Sequence, residues 1–344
     1  MVQKINIHIN GFKKLKSLKI LFILNSISSI NKNTLNHCGG IEFLNLFLAK
    51  LLAKQKNSIY IAIESKINKK FQNINITNIK KIKNKRFDIV INSNSVKNLN
   101  FFKKAKKIIW LHNKLQIEKA FRRGELFNIF KNKPNVVFVS KFLMSNTSNL
   151  YPFKNKIIIP NGYHPLFNNK KKNIRKNLII WTNQRSKGLQ NIIDIFESSI
   201  EPNSDSKLLI FGVKKNKKKS FYYKSKKIIF FGRVNRKKLA NYFKIAKVFL
   251  HPGFDETFCI SALEASASGL PIITLGKTAL KERVINNYNG FIVKNYEDIS
   301  CKILELFNDT ETFNKMSKNA ITYSKRYNWN KITTLWSKYF YKIK

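Results

Sequence analysis

Carboxylates, arginines and cysteines are all scarce in this chain of 344 residues, and each shortage excludes something. Only 18 Asp and Glu stand against 66 Lys and Arg, a formal net charge of +48, and 57 of the 66 cations are Lys while 9 are Arg. Specific phosphate recognition draws on the planar, two-pronged guanidinium, so an excess made of lysine fits biased composition at least as well as a selected nucleic-acid surface. No specific nucleic-acid partner is expected. Spread lysines still attract an anionic membrane, each contributing on the order of 1 kcal/mol close to the surface, so peripheral contact with the inner face of the plasma membrane is an expectation. The three cysteines, Cys38, Cys259 and Cys301, are odd in number and lack C-x-x-C spacing. That argues against a disulfide framework and points to a reduced, cytoplasmic protein. No apolar run approaches the roughly 20 residues of a spanning helix, and Leu18 to Leu24 is too short and strand-like for a signal peptide. There is no D-x-D pair to hold Mg²⁺ or Mn²⁺ and no ligand spacing between His37 or His164 and the cysteines, so no metal is expected.

What is present is alternation. Leu18 to Leu24 reads as a buried strand, and Leu44, Phe47, Leu48, Leu51 and Leu52 then recur at helical spacing. Ser58 to Ile63, Phe87 to Asn92, Ile108 to Leu111, Val136 to Val139 and Lys156 to Ile159 supply further strands, with helical patterns between most of them. The pattern restarts at Leu178 to Trp181, after a Lys- and Asn-dense stretch without periodicity, and continues through Leu208 to Phe211, Ile228 to Phe231, Val248 to Leu250 and Pro271 to Thr274. Such alternation predicts two α/β halves, each a parallel, doubly wound sheet, and 344 residues suit two domains.

Three features fall where such sheets bind ligands, beyond the carboxyl ends of strands. Gly39 and Gly40 open the first helix, where glycine lets backbone N–H groups approach a phosphate; the usual alternative is a plain reversing turn. The segment is not G-x-G-x-x-G, which counts against a dehydrogenase. His112 follows the apolar run Ile108 to Leu111 and should face the crevice. The most informative stretch runs from His251 to Gly269, H-P-G-F-D-E-T-F-C-I-S-A-L-E-A-S-A-S-G. It reads as strand, tight loop and a helix beginning near Phe258, with Glu256 at the helix mouth and Glu264 two turns further on. Taken alone, two glutamates at this spacing also fit an ordinary surface helix with a charged N-terminus.

The full string resembles the E-x7-E segment of the retaining, nucleotide-sugar-dependent glycosyltransferases of family 4, with Cys259 standing where that family usually has Gly. Other segments are similar to the family in order: Gly39-Gly40-Ile41-Glu42, the strand-end His112, Ile159-Pro160-Asn161-Gly162, Gly232-Arg233-Val234, Glu282-Arg283-Val284, Asn289-Gly290-Phe291-Ile292-Val293 and Tyr327-Asn328-Trp329. Arg185 and Lys187 fall at its diphosphate-holding G-R-x-x-x-K-G element, here shortened and with Asn or Gln in place of its Gly.

The resemblance implies a GT-B fold: a Rossmann-like acceptor-side domain over residues 1–166, a Rossmann-like nucleotide-sugar domain over 167–326, and a final helix, 327–344, packed back on the first. The parallel sheets would face a central cleft. It further implies transfer of a sugar, with retention, from a nucleoside diphosphate to a hydroxyl of a glycan or lipid-linked acceptor, as in polysaccharide, lipopolysaccharide or glycolipid synthesis, without a cofactor. Glu264 would then accept from the ribose hydroxyls and Glu256 orient the sugar. Arg185, Lys187 and the N–H groups of Phe258 and Cys259 would hold the leaving diphosphate, Gly39, Gly40, Gly232, Arg233 and Val234 would line the donor pocket, and His112 would face the reacting sugar. An epimerase or phosphorylase on the same fold would need its own acid–base set or a cofactor lysine, and a nucleic-acid binder would leave the cleft-facing motifs unused.

Overall fold

The computed structural model describes residues 17–24, 39–64, 69–71, 73–169, 174–183, 188–213 and 221–343. In chain order the first part forms β1 (Lys19–Ile23), α1 (Gly40–Lys54), β2 (Ser58–Ile63), β3 (Lys69–Phe71), β4 (Ile74–Asn78), β5 (Ile89–Ser93), β6 (Lys106–Leu111), α2 (Ile117–Arg122), α3 (Glu125–Asn132), β7 (Asn135–Phe138), α4 (Lys141–Ser145) and β8 (Lys156–Ile158). The second part forms β9 (Lys176–Thr182), α5 (Leu189–Ile195), β10 (Lys207–Phe211), β11 (Ile228–Gly232), α6 (Arg236–Ile245), β12 (Ala246–Leu250), α7 (Ile260–Ala267), β13 (Ile272–Thr274), β14 (Gly290–Ile292), α8 (Glu297–Asn308), α9 (Thr310–Ser324) and α10 (Trp329–Ile343).

The strands assemble into two sheets, ordered β3-β4-β2-β1-β5-β6-β7-β8 and β11-β10-β9-β12-β13-β14. Pairings are parallel, as expected, apart from the edge strand β3, which runs antiparallel to β4. The β3–β4 unit was not anticipated from the residues. Its segments are short, and in β4 the buried Ile74 and Ile76 alternate with Asn75 and Thr77, a weak pattern for an edge. The central strands read differently. Ile20, Leu21 and Phe22 in β1 are fully buried on both faces, as a strand covered by helices on both sides must be.

In each sheet the chain starts in the middle, runs out to one edge and returns to the other side. The switch therefore falls between β1 and β5 in the first sheet and between β9 and β12 in the second, which is where an open α/β sheet leaves a crevice. The last helix comes back to the first sheet's side. Trp336 meets Trp110 edge-on at 4.9 Å, Trp329 lies 5.0 Å from Phe47, and Ser337 donates to Gln55 at 2.8 Å. Gly162 is needed under this helix, since a Cβ there would stand 2.7 Å from the Trp329 ring.

Candidate active site

Beyond β12 the chain turns sharply at His251-Pro252-Gly253. Gly253 has φ +98°, and a Cβ on it would press within 2.9 Å of the Lys277 carbonyl, so only glycine fits the turn. The helix begins at Ile260, two residues later than the apolar period suggests, because Cys259 adopts φ 59° as its N-cap. A side chain in the left-handed region costs roughly 1–2 kcal/mol, the penalty that the glycine more usual in the resembling segment would avoid. The preceding loop is fastened across the cleft: Ser140 Oγ donates to the Thr257 carbonyl at 2.6 Å, and Thr257 Oγ1 donates to the His112 carbonyl. Glu282 adds a second fastening by accepting from the backbone N–H groups of Lys141 and Phe142 at 3.2 and 2.6 Å, at the start of α4.

The two glutamates occupy different surroundings. Glu264 is 3% exposed, and Oε1 accepts from Arg236 Nη1 at 3.2 Å. Burial raises its pKa to about 7, against the opposing pull of Arg236 and of a backbone hydrogen bond from His164. Arg236 opens α6 and lies 4.6 Å over the Phe43 ring of the first domain, so one guanidinium joins both halves to the carboxylate. Glu256 is half-buried. Its Oε1 accepts from Asn183 Nδ2 at 3.1 Å and lies 3.5 Å from His251 Nε2. His251 is itself oriented by the backbone N–H of Gly253, which donates to Nδ1 at 3.0 Å.

Both glutamates, Arg236 and Asn183 share one cavity of about 380 Å³ between the two sheets, with His251 behind its wall. Gly40, His112 and Asn161 line it from the first domain, and Asn183, Arg236, Glu256, Phe258, Cys259 and Glu264 from the second. His112 lies beyond β6, Asn183 beyond β9 and His251 beyond β12, the carboxyl ends where the topology leaves room. His112 is buried, and burial lowers its pKa to about 3, so the ring is neutral at physiological pH. Its Nε2, Asn161 Oδ1 and Arg236 Nε have no hydrogen-bond partner among the described residues although each is buried in the cavity wall. Buried polar atoms are nearly always satisfied, so these three are open to a partner that the described residues do not supply.

Not every expected residue arrives there. Gly39 and Gly40 form the N-terminus of α1, but the Gly39 N–H already donates to Glu42 Oε2 at 2.8 Å, so that amide is not offered to a phosphate; Gly40 does line the cavity. Gly232, Arg233 and Val234 lie outside its lining, and Arg233 is exposed. Arg185 and Lys187 lie outside the described residues. Arg236, Asn183, His251 and Asn161 were missed as site residues. Arg236, three positions beyond Arg233 and one of nine arginines, carried the best available sign.

Among the described residues, His251, Glu256 and Cys259 are the group whose ligand atoms come close enough for a metal, all within 4.8 Å. Their chemistry does not suit one. A backbone N–H cannot reverse, so His251 Nδ1 is the acceptor and Nε2 carries the proton, leaving no lone pair toward the site. A ligating histidine instead donates from its second nitrogen.

The fold and this inter-domain cavity define a GT-B architecture. Along nearly the whole chain it matches solved structures: a glycosyltransferase from Rickettsia africae ESF-5, at TM-score 0.73 and 16% identity over 96% of this chain and 99% of that one, and Anabaena Alr3699/HepE in complex with UDP and glucose, at TM-score 0.71 and 15% identity over 94% and 100%. Residues 167–323 match the family Glycosyl transferases group 1. An uncharacterized glycosyltransferase of Methanocaldococcus jannaschii is 28% identical over 207 residues, 58% of this chain and 57% of its own length.

Proposed function

We propose that the protein transfers a sugar from a nucleoside diphosphate to a hydroxyl acceptor with retention of anomeric configuration, the donor lying in the inter-domain cavity. One observation carries this reading: Glu256, Glu264, His112 and Asn161 converge on a single cavity in which several buried polar atoms await a partner. A small molecule rich in hydroxyls and phosphate oxygens supplies the missing bonds.

In this reading the ionised form of Glu264, steadied by Arg236, accepts from the ribose hydroxyls, a task for an acceptor-only group. Glu256, braced by Asn183 and His251, orients the sugar hydroxyls. His112 is neutral, so it serves as a hydrogen-bonding partner of the reacting sugar and not as a proton-carrying acid. As the sugar–phosphate bond breaks, negative charge grows on the diphosphate, and a positioned cation or a helix N-terminus stabilises it. Arg185 and Lys187 are the cations that the resemblance nominates, and the start of α7 is the helix end.

Thermal-shift screening against a panel of nucleoside diphosphate sugars tests the reading. At least one should raise the melting temperature of the wild type and of Glu256→Gln, while Glu264→Ala should respond far less. Stabilisation of Glu264→Ala equal to wild type would remove the ribose assignment, and silence across the panel would remove the donor site.

A further inference from the structure

Ten large apolar side chains are exposed among the described residues, and four fall within fourteen consecutive positions: Ile117 at 43%, Phe121 at 73%, Phe127 at 72% and Phe130 at 51%. These are the helices α2 and α3. Helix α2 buries only Ala120, and Ile117 and Phe121, four apart, form one outward ridge. Helix α3 buries Ile129 and packs Leu126 against the core, yet it also carries apolar rings on its outer side, where an ordinary surface helix is polar. Its polar residues hold it to the domain, Glu125 accepting from Ser95 at 2.9 Å and Asn128 and Asn132 bonding with Asn100 at 2.7 and 2.5 Å, while Phe127 and Phe130 point outward.

The charge around these rings has one sign. Lys114, Lys119, Arg122, Arg123, Lys131 and Lys133 are all exposed, against a single exposed carboxylate, Glu118. We propose that α2 and α3 form the platform by which the protein docks on an anionic lipid bilayer, the phenylalanines entering the interface and the cations meeting the headgroup phosphates. Amphipathic surfaces with aromatic residues on one side and basic residues beside them bind membranes in this way. A second copy of the chain is disfavoured as occupant, because a two-fold contact sets this surface against itself and faces cations with cations. No described helix is long and apolar enough to cross a membrane, so attachment here is peripheral. His112, in the cavity wall, precedes Ile117 by five residues, which places the platform beside the cleft. The inference stands apart from the reaction proposed above and is tested without any activity.

Flotation of the full chain with phosphatidylcholine vesicles, with and without about a quarter phosphatidylglycerol, is the experiment. Wild type should float with the anionic vesicles and much less with neutral ones. Each Phe→Ser change at 121, 127 and 130 should weaken binding by about tenfold or more, although the net charge is unchanged. A triple variant that floats like wild type would overturn the proposal, as would wild type that ignores anionic vesicles at low salt, or a wild-type dimer in sedimentation that the triple variant loses. Should the triple variant melt early, Phe127→Trp gives a second readout. Its added emission should be quenched by lipids brominated on their acyl chains, and no quenching would equally sink the idea.

Discussion

Arg236→Ala should move the pH at which donor binding switches on. Glu264 has a pKa raised to about 7 by burial, with Arg236 the main group pulling it back down across 3.2 Å. At an effective dielectric of about 20 that pair attracts by roughly 5 kcal/mol before solvation costs, and breaking a buried pair leaves an uncompensated charge. The carboxylate escapes by taking a proton, so its pKa rises further in the variant, and each unit corresponds to about 1.4 kcal/mol. If only the carboxylate accepts from the ribose, wild-type affinity for a nucleoside diphosphate sugar should rise about tenfold between pH 6 and pH 8, following an ionised fraction that goes from about a tenth to about nine tenths. In Arg236→Ala the rise should begin above pH 7, and in Glu264→Gln it should vanish, with affinity lower by about 1.5–3 kcal/mol. Titration calorimetry with an intact nucleotide sugar reads this cleanly, because its phosphates stay singly ionised throughout this range. A flat wild-type profile, or an unchanged midpoint in Arg236→Ala, would show that the Glu264 carboxylate does not hold the ribose. The same raised pKa has a sign for stability: the folded state binds this proton more tightly than the unfolded one, so this contribution is present at low pH and is lost as pH rises from about 4.5 through about 7.

Gly162→Ala should destabilise the fold by about 1–3 kcal/mol, since its Cβ would meet the buried Trp329 ring at 2.7 Å; an unchanged melting curve would show that the final helix can shift at no cost. The pH–rate profile should show no His112 ionisation between pH 5 and 8, because burial lowers that pKa to about 3, and His112→Asn should reduce kcat without changing the profile's shape; loss of an inflection near pH 6 would make His112 a proton carrier. Excess EDTA should leave the rate nearly intact, while Arg185→Ala and Lys187→Ala each lower it by about a hundredfold or more. Turnover abolished by EDTA and restored by Mg²⁺ or Mn²⁺, with both variants active, would contradict the leaving-group assignment.

The parts legible in the residues were those carried by local pattern. Buried strands such as β1 and β12 announce themselves as continuous apolar runs, and the eight-residue spacing of Glu256 and Glu264 survives as loop and helix in one cavity. What was missed depends on contacts far apart in the chain. Arg236 becomes a site residue because α6 brings it to Glu264 and to Phe43, and nothing near it in the sequence names either partner. Asn183 looked like a departure from a glycine turn, yet its side chain donates to Glu256. Asn161 read as part of a domain-ending segment, while its side chain lines the cavity. Gly39 failed the other way, since a phosphate-facing amide and one occupied by Glu42 have the same local sequence.

Retaining transfer from a nucleoside diphosphate sugar can be followed in proton NMR with an α-configured donor and the acceptor mixture on which the enzyme turns over. Release of the nucleoside diphosphate should appear together with a new anomeric signal showing the small coupling of an α linkage, and neither should appear in Glu256→Ala at the same protein concentration. A β-linked product, or a donor panel from which no nucleoside diphosphate is released, would contradict it.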